Sequence, residues 1–136
     1  MKPNKFHLIF VDDEEDLRDI FTHLFEDEVT NGACDMNFFC SASECLEYLS
    51  GHYDPNVSYI VVSDINMPGM NGIKMLEEIQ QKFPQVVGRY VMSAYDTNNY
   101  REETERIGVM HFFNKPINLK LVKKTISDDF GVPFTE

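Results

Sequence analysis

Ile60-Val61-Val62-Ser63-Asp64-Ile65-Asn66-Met67-Pro68-Gly69-Met70-Asn71-Gly72 passes from an apolar, β-branched run into a rigid Pro-Gly turn. A helical period follows, with Ile73, Leu76, Ile79 and Phe83 on one face. An apolar run that does not alternate suits a strand covered on both sides, as in a parallel sheet. The turn would expose the Asp64 carboxylate and the Asn66 carbonyl at the carboxyl end of that strand. Asp64 could cap the turn, ligate a metal, or act as a nucleophile that forms an aspartyl phosphate.

The same alternation extends in both directions. Strands are expected at Phe6–Val11, Met36–Cys40, Tyr59–Ser63, Val87–Met92 and Val109–Phe113. Leu17, Ile20, Phe21 and Leu24 share a helical face. Ser41 or Ser43 can cap a helix that runs to Leu49 and ends at Gly51. Asp96 or Thr97 can cap the next, which Gly108 terminates. Asn118 opens the last, with Leu119, Val122, Ile126 and Phe130 as its stripe. Five βα units in succession imply an α/β fold whose parallel sheet is covered on both faces. Gly51 to Asn56 reads as a turn-rich surface link. Domain limits follow: a tail at 1–4, one domain at 5–131, and a tail at 132–136.

In such a sheet the carboxyl ends of the strands share one edge, where ligands bind. Asp12-Asp13, Asp64, Ser93-Ala94 and Lys115-Pro116 each follow directly on a strand. Glu14, Glu15 and Asp16 read as acids favoured near a helix N-terminus. Two adjacent acids after Ile9-Phe10-Val11 repel unless a cation screens them, and a hard oxygen-rich site suits Mg²⁺. The Ser93 hydroxyl and the Ala94 N–H can donate to phosphate oxygens. Lys115 is a compact cation able to pair with a phosphoryl group. Pro116 fixes its turn and admits a cis bond.

Composition narrows the field. The chain has 136 residues, enough for one substantial core. No apolar stretch approaches the roughly 20 residues a membrane helix needs, and Met1-Lys2-Pro3-Asn4 is no signal peptide. Twelve basic against 23 acidic residues give a net charge of −11, which argues against direct nucleic-acid binding. Cys34, Cys40 and Cys45 are odd in number, with no Cys-x-x-Cys and no zinc-finger spacing. They read as packing residues of a reducing cytoplasm. Lys120, Lys123 and Lys124 form a basic strip read as the solvated face of the last helix, and the four histidines lack ligand spacing.

In this order and on these elements, the residues resemble the receiver domain of two-component response regulators, in a single-domain, chemotaxis-regulator-like form. The match runs from about Lys5 to Phe130: Asp12-Asp13, Asp64 to Gly72, Ser93-Ala94, Gly108 to Phe113, and Lys115-Pro116. The resemblance implies a flavodoxin-like, doubly wound five-stranded sheet in order 2-1-3-4-5 with five helices. It implies that Asp64 accepts a phosphoryl group from a histidine kinase or a histidine phosphotransfer protein. Mg²⁺ would be held by Asp13 directly, Asp12 through water, Asp64, and the Asn66 carbonyl. Lys115 and Ser93 would bind the phosphoryl oxygens. Ser93 and Phe112 would form a switch that remodels the face of the fourth helix, fifth strand and fifth helix for a downstream protein target. A homodimer formed on phosphorylation is compatible with this. Asn66 and Tyr95 would tune phosphoryl lifetime, Tyr95 by shielding the acyl phosphate from water. The chain would then be no enzyme beyond its own phosphorylation and dephosphorylation, with neither nucleic-acid nor membrane partners. Two alternatives share these residues. One is a phosphorylation-independent module of the same fold. The other is a Mg²⁺-dependent phosphatase of the haloacid dehalogenase type, which wants an acid where this chain has Asn66.

Overall fold

The computed structural model describes residues 5–94 and 101–131. Five parallel strands form its sheet: β1 (Lys5–Val11), β2 (Cys34–Phe39), β3 (Val57–Asp64), β4 (Val86–Ser93) and β5 (His111–Asn114). Their order is β2-β1-β3-β4-β5, so the crossover between β1 and β3 opens the sheet edge above their ends. Six helices lie between and beyond them among the described residues: α1 (Leu17–Leu24), α2 (Glu26–Thr30), α3 (Ala42–His52), α4 (Gly72–Lys82), α5 (Arg101–Arg106) and α6 (Leu119–Phe130).

Alternation along the strands divides the core in two. Ile9, Val11, Val61 and Val91 face one side, with Leu49 of α3, Leu76 of α4 and Ile107. Leu8, Phe10, Ile60, Val62 and Met92 face the other, with Phe21 of α1 and Val122 and Ile126 of α6. Phe10 stacks on Phe21 with centroids 4.2 Å apart. Burying a side chain of this size contributes about 1.5–3 kcal/mol. Both layers are needed to hold the central strands in place, because β1, β3 and β4 are apolar on both faces.

Several elements depart from the sequence expectation. The first helix is broken at Phe25, whose backbone (φ −107°, ψ 13°) leaves the helical region. Six helices replace five as a result. The helix-like bonds from Phe25 N–H to the Phe21 carbonyl and from Val29 N–H to the Phe25 carbonyl span the break. Phe25 itself is fully buried, and seating its ring sets the break. Gly51 does not end α3, which continues through His52. The link that follows lies at the surface as expected and is pinned by one half-buried residue: Tyr53 stacks on Tyr59, with centroids 5.6 Å apart, and its hydroxyl accepts from Gln85 N–H at 2.8 Å. β2 and β3 start earlier than expected, at Cys34 and Val57, and β5 starts later, at His111.

The expected caps at Ser41 and Asn118 are present. Ser41 Oγ accepts from Glu44 N–H at 3.2 Å, and Asn118 Oδ1 from Leu121 N–H at 3.1 Å. Gly131 closes α6 in the left-handed conformation, φ 64°. The caps expected at Asp96 or Thr97 lie outside the described residues, as do the tails at 1–4 and 132–136.

Candidate functional site

Asp12 follows β1, Asp64 ends β3, Ser93 ends β4 and Lys115 follows β5. Backbone bonds lash these strand ends together. Asp12 N–H donates to the Phe39 carbonyl at 3.0 Å, Ile65 N–H to Met92 at 3.1 Å, and Lys115 N–H to Ser93 at 2.9 Å. Beyond Asp64, Gly69 takes φ 79°, and Asn71 Oδ1 caps α4 by accepting from Lys74 N–H at 2.8 Å. The Pro68-Gly69 turn thereby returns the chain onto a helix while leaving Asp64 at the edge. The Lys115-Pro116 bond is cis.

Side chains converge as their positions demand. Carboxylate oxygens of Asp12, Asp13 and Asp64 lie within 4.8 Å of one another. Lys115 Nζ stands 2.8 Å from Asp12 Oδ2 and 3.2 Å from Asp64 Oδ2. Asp12 is fully buried, Asp64 nearly so, and Asp13 exposed. Burial pushes the Asp12 carboxyl above its ordinary value, against the hydrogen bonds from Lys115 and Glu14 N–H. Asp64 is raised first by burial and then by the Asp12 charge, with Lys115 opposing. For Lys115, burial disfavours the ammonium, but its bonds to Asp12 and Glu14 outweigh that and raise its pKa overall.

The donor set fits a hard divalent cation. It consists of carboxylate oxygens, one on an exposed side chain where water can complete the shell. Asp12 Oδ2 is buried, and Lys115 is its one polar partner at bonding distance among the described residues. Carboxylates crowded in this way need more positive charge than one ammonium supplies. Asn66 is exposed, and its N–H lies 3.4 Å from Asp64 Oδ1.

Ser93 is buried at the same edge and Ala94 is exposed beside it. Phe112 is 36% exposed on the edge strand, opposite Val91 and so on the α4–α5 face of the sheet. The buried ring of that strand is Phe113. Tyr95 lies outside the described residues. Lys123 is the expectation the structure overturns: it is buried, not part of a solvated strip, and pairs with Glu28 of α2.

One contributor escaped the sequence reading. Glu14 reads from sequence as a helix-start acid, yet its carboxylate lies 3.1 Å from Lys115 Nζ. Its place in the loop directly after the acid pair was the available signal.

A doubly wound parallel sheet presents ligand-binding groups at the carboxyl ends of its strands, and here those groups are acids and a lysine. Comparison with known proteins narrows the class. A sequence model of the response regulator receiver domain matches residues 8–127, and the chain belongs to that family. A cyclic di-GMP phosphodiesterase of Thermotoga maritima is 28% identical over 105 residues, covering 75% of this chain and 28% of that protein. Two further relatives match over 32% and 21% of their own lengths, so the chain spans a third or less of these relatives. Among solved structures, a response regulator receiver protein from Pseudomonas putida superposes with a TM-score of 0.76 at 19% identity, covering 94% of this chain and 99% of that one. The chemotaxis protein CheY4 of Vibrio cholerae gives 0.72 at 18% identity, with 91% and 98% covered. These two likenesses bear on the fold. No helix among the described residues is long and apolar enough to cross a membrane.

Proposed function

We propose that the chain is a phosphorylation switch in which Asp64 accepts a phosphoryl group from a phosphohistidine of a sensor kinase or phosphotransfer protein. The observation that carries this reading is the meeting of Asp64, Asp12, Asp13 and Lys115 around one point. An Asp64 carboxylate oxygen attacks phosphorus. The P–O bond forms as the P–N bond breaks, and the electron pair returns with a proton to the imidazole. A family with this chemistry works by positioning and charge neutralisation.

Asp12, Asp13, Asp64 and the Asn66 carbonyl would hold Mg²⁺, which when bound supplies neutralising charge to the transferring oxygens. Lys115 binds one phosphoryl oxygen as a point charge, and Ser93 with the Ala94 N–H binds others. Phe112 sits partly exposed on β5, and we assign it with Ser93 to the switch that alters the α5-β5-α6 face for a downstream protein. Tyr95 and Asn66 tune the lifetime of the acyl phosphate. The chain turns over no external substrate in this reading and works in the cytoplasm.

Intact-mass analysis after acetyl phosphate and Mg²⁺ tests it. One phosphoryl mass should be gained by the unaltered chain, lost without Mg²⁺, and absent in Asp64→Asn. No gain in the unaltered chain would favour a phosphorylation-independent module. Steady turnover of a simple phosphate ester would favour a phosphatase.

A further inference from the structure

An ammonium has three hydrogens to donate and no more. In this structure three carboxylates stand around Lys115 Nζ: Asp12 at 2.8 Å, Glu14 at 3.1 Å and Asp64 at 3.2 Å. A phosphoryl group on Asp64 takes over the donor that this carboxylate held, because the esterified oxygen no longer carries its charge, and with about two negative charges it draws on a second donor as well. That donor comes from Asp12 or Glu14, and the two do not cost the same to release. Asp12 is buried, and taking the cation from it leaves a buried charge uncompensated. The Glu14 side chain is 62% exposed, and water replaces the ammonium there at little cost. Glu14 also joins the site to a helix. Its N–H donates to Asp12 Oδ1 at 2.8 Å, and its carbonyl accepts from Leu17 N–H, the first residue of α1, at 3.1 Å.

We propose that Glu14 is an exchangeable latch: its carboxylate holds Lys115 while Asp64 is unmodified and is displaced when a tetrahedral anion occupies Asp64. The inference rests on the phospho-acceptor reading and adds a residue to it. Glu14 touches no reacting atom. It is a positioning residue that acts through Lys115, and it restrains the switch in two ways. It occupies a donor that the incoming group needs, and it adds a fourth negative charge beside Asp12, Asp13 and Asp64 where a further anion must enter. Its release frees the loop that leads into α1.

Beryllium fluoride with Mg²⁺ serves as the tetrahedral probe, titrated into the unaltered chain, Glu14→Gln, Glu14→Ala and Glu15→Gln. Fluorine NMR gives the dissociation constant. The Lys115 Nζ resonance, assigned with Lys115→Arg, reports the contact itself. Both Glu14 variants should bind the probe roughly two- to fivefold tighter, the size an exposed ion pair supports. Glu15→Gln removes the same charge one residue along and should change affinity by less than either. Before the probe is added, the Lys115 signal should differ between the unaltered chain and the Glu14 variants; with the probe bound, the signals should converge. Unchanged affinity and an unmoved Lys115 signal in both Glu14 variants would overturn the latch. So would an equal gain in Glu15→Gln, which would reduce the effect to diffuse charge. If the unaltered chain bound no probe at all, the phospho-acceptor reading itself would fall. Binding by the unaltered chain as tight as by the variants removes only the latch.

Discussion

A Cβ placed on Gly72 would stand 2.0 Å from the carbonyl oxygen of Asp64. The first residue of α4 therefore packs against the last residue of β3 closely enough that only glycine fits. The same Cβ would meet Ser63 Oγ at 2.8 Å, and Gly72 N–H donates to the Ile65 carbonyl at 2.9 Å. The nearest obstacle is backbone, which cannot rotate aside. Gly72→Ala must then displace either Asp64 or the start of α4, at a cost of about 2 kcal/mol or more. Urea denaturation should register that loss, and Mg²⁺-dependent labelling of Asp64 should slow with it. Wild-type stability together with wild-type labelling would show that the turn has slack this geometry denies.

Asp12 is fully buried and its carboxyl is pushed up by that burial. A carboxyl raised in the folded state binds its proton more tightly there than when unfolded. Its stabilising contribution is present in full below the unfolded value, near 4, and is lost as pH rises through the folded value. At neutral pH without metal the ionised group therefore costs stability. Asp12→Asn should raise the melting temperature at pH 7 in EDTA, by about 2–4 °C for each kcal/mol relieved. The advantage should shrink toward pH 4, where the native carboxyl is protonated too. A variant melting at or below wild type at pH 7 in EDTA would contradict this sign.

Metal reverses the ranking. A cation held by Asp12, Asp13 and Asp64 binds the folded chain alone, and at a hundred times its dissociation constant it stabilises by about 2.7 kcal/mol. Added Mg²⁺ should raise the melting temperature of the native chain and do much less for Asp12→Asn or Asp13→Asn. A shift of equal size in all three proteins would place the cation elsewhere.

The legible parts of this molecule were those written in local patterns. Non-alternating runs such as Ile60-Val61-Val62 mark two-sided strands, Ser41 and Asn118 mark caps, and acids or a lysine directly after strands mark the site edge. What stayed hidden depends on partners distant in sequence. Lys123 lies between Lys120 and Lys124 and reads as surface, but Glu28, 95 positions earlier, draws it inward. Glu14 reads as a favourable helix-start charge until Lys115 is placed 3.1 Å away. Phe25 continues the helical pattern, yet seating its ring beside Phe10, with centroids 5.6 Å apart, breaks the helix. Periodicity reports which face is apolar, but not which single side chain a third element will claim.

The cysteines separate by burial. Cys34 and Cys45 are enclosed and Cys40 is partly exposed, with Arg18 Nη2 3.5 Å from its sulfur. Burial, helped by the charges of Glu28 and Asp35 and opposed by Lys123, raises the Cys34 thiol to about 11. Burial alone takes Cys45 to about 12. Thiolates are the reactive form, so iodoacetamide at pH 7.5 should modify Cys40 and spare the other two until the chain unfolds. These raised values favour the folded state fully below the unfolded thiol value of about 8.5 and cease to do so as pH climbs through them. Peptide mapping that finds Cys34 or Cys45 labelled in the native chain would contradict the packing described.

Lys123 of α6 reaches under the break between α1 and α2. Its Nζ pairs with Glu28 Oε1, donates to the Leu24 carbonyl at 3.0 Å, and lies 5.5 Å from the Phe25 ring centroid. Three groups that the break at Phe25 brings together are thus answered by one side chain. Both charges are nearly excluded from water, so losing one strands the other. Lys123→Ala should cost about 3–5 kcal/mol, a large share of the stability of a domain this size. The double change Lys123→Met with Glu28→Leu fills similar volume without charge, so it should recover most of that loss. Denaturant midpoints of Lys123→Met, Glu28→Leu and the double variant supply the cycle. If Lys123→Ala moves the midpoint no more than a surface substitution does, the pair is incidental to stability. If the double variant is as unstable as the single one, the carbonyl of Leu24, not the charge of Glu28, is what Lys123 serves.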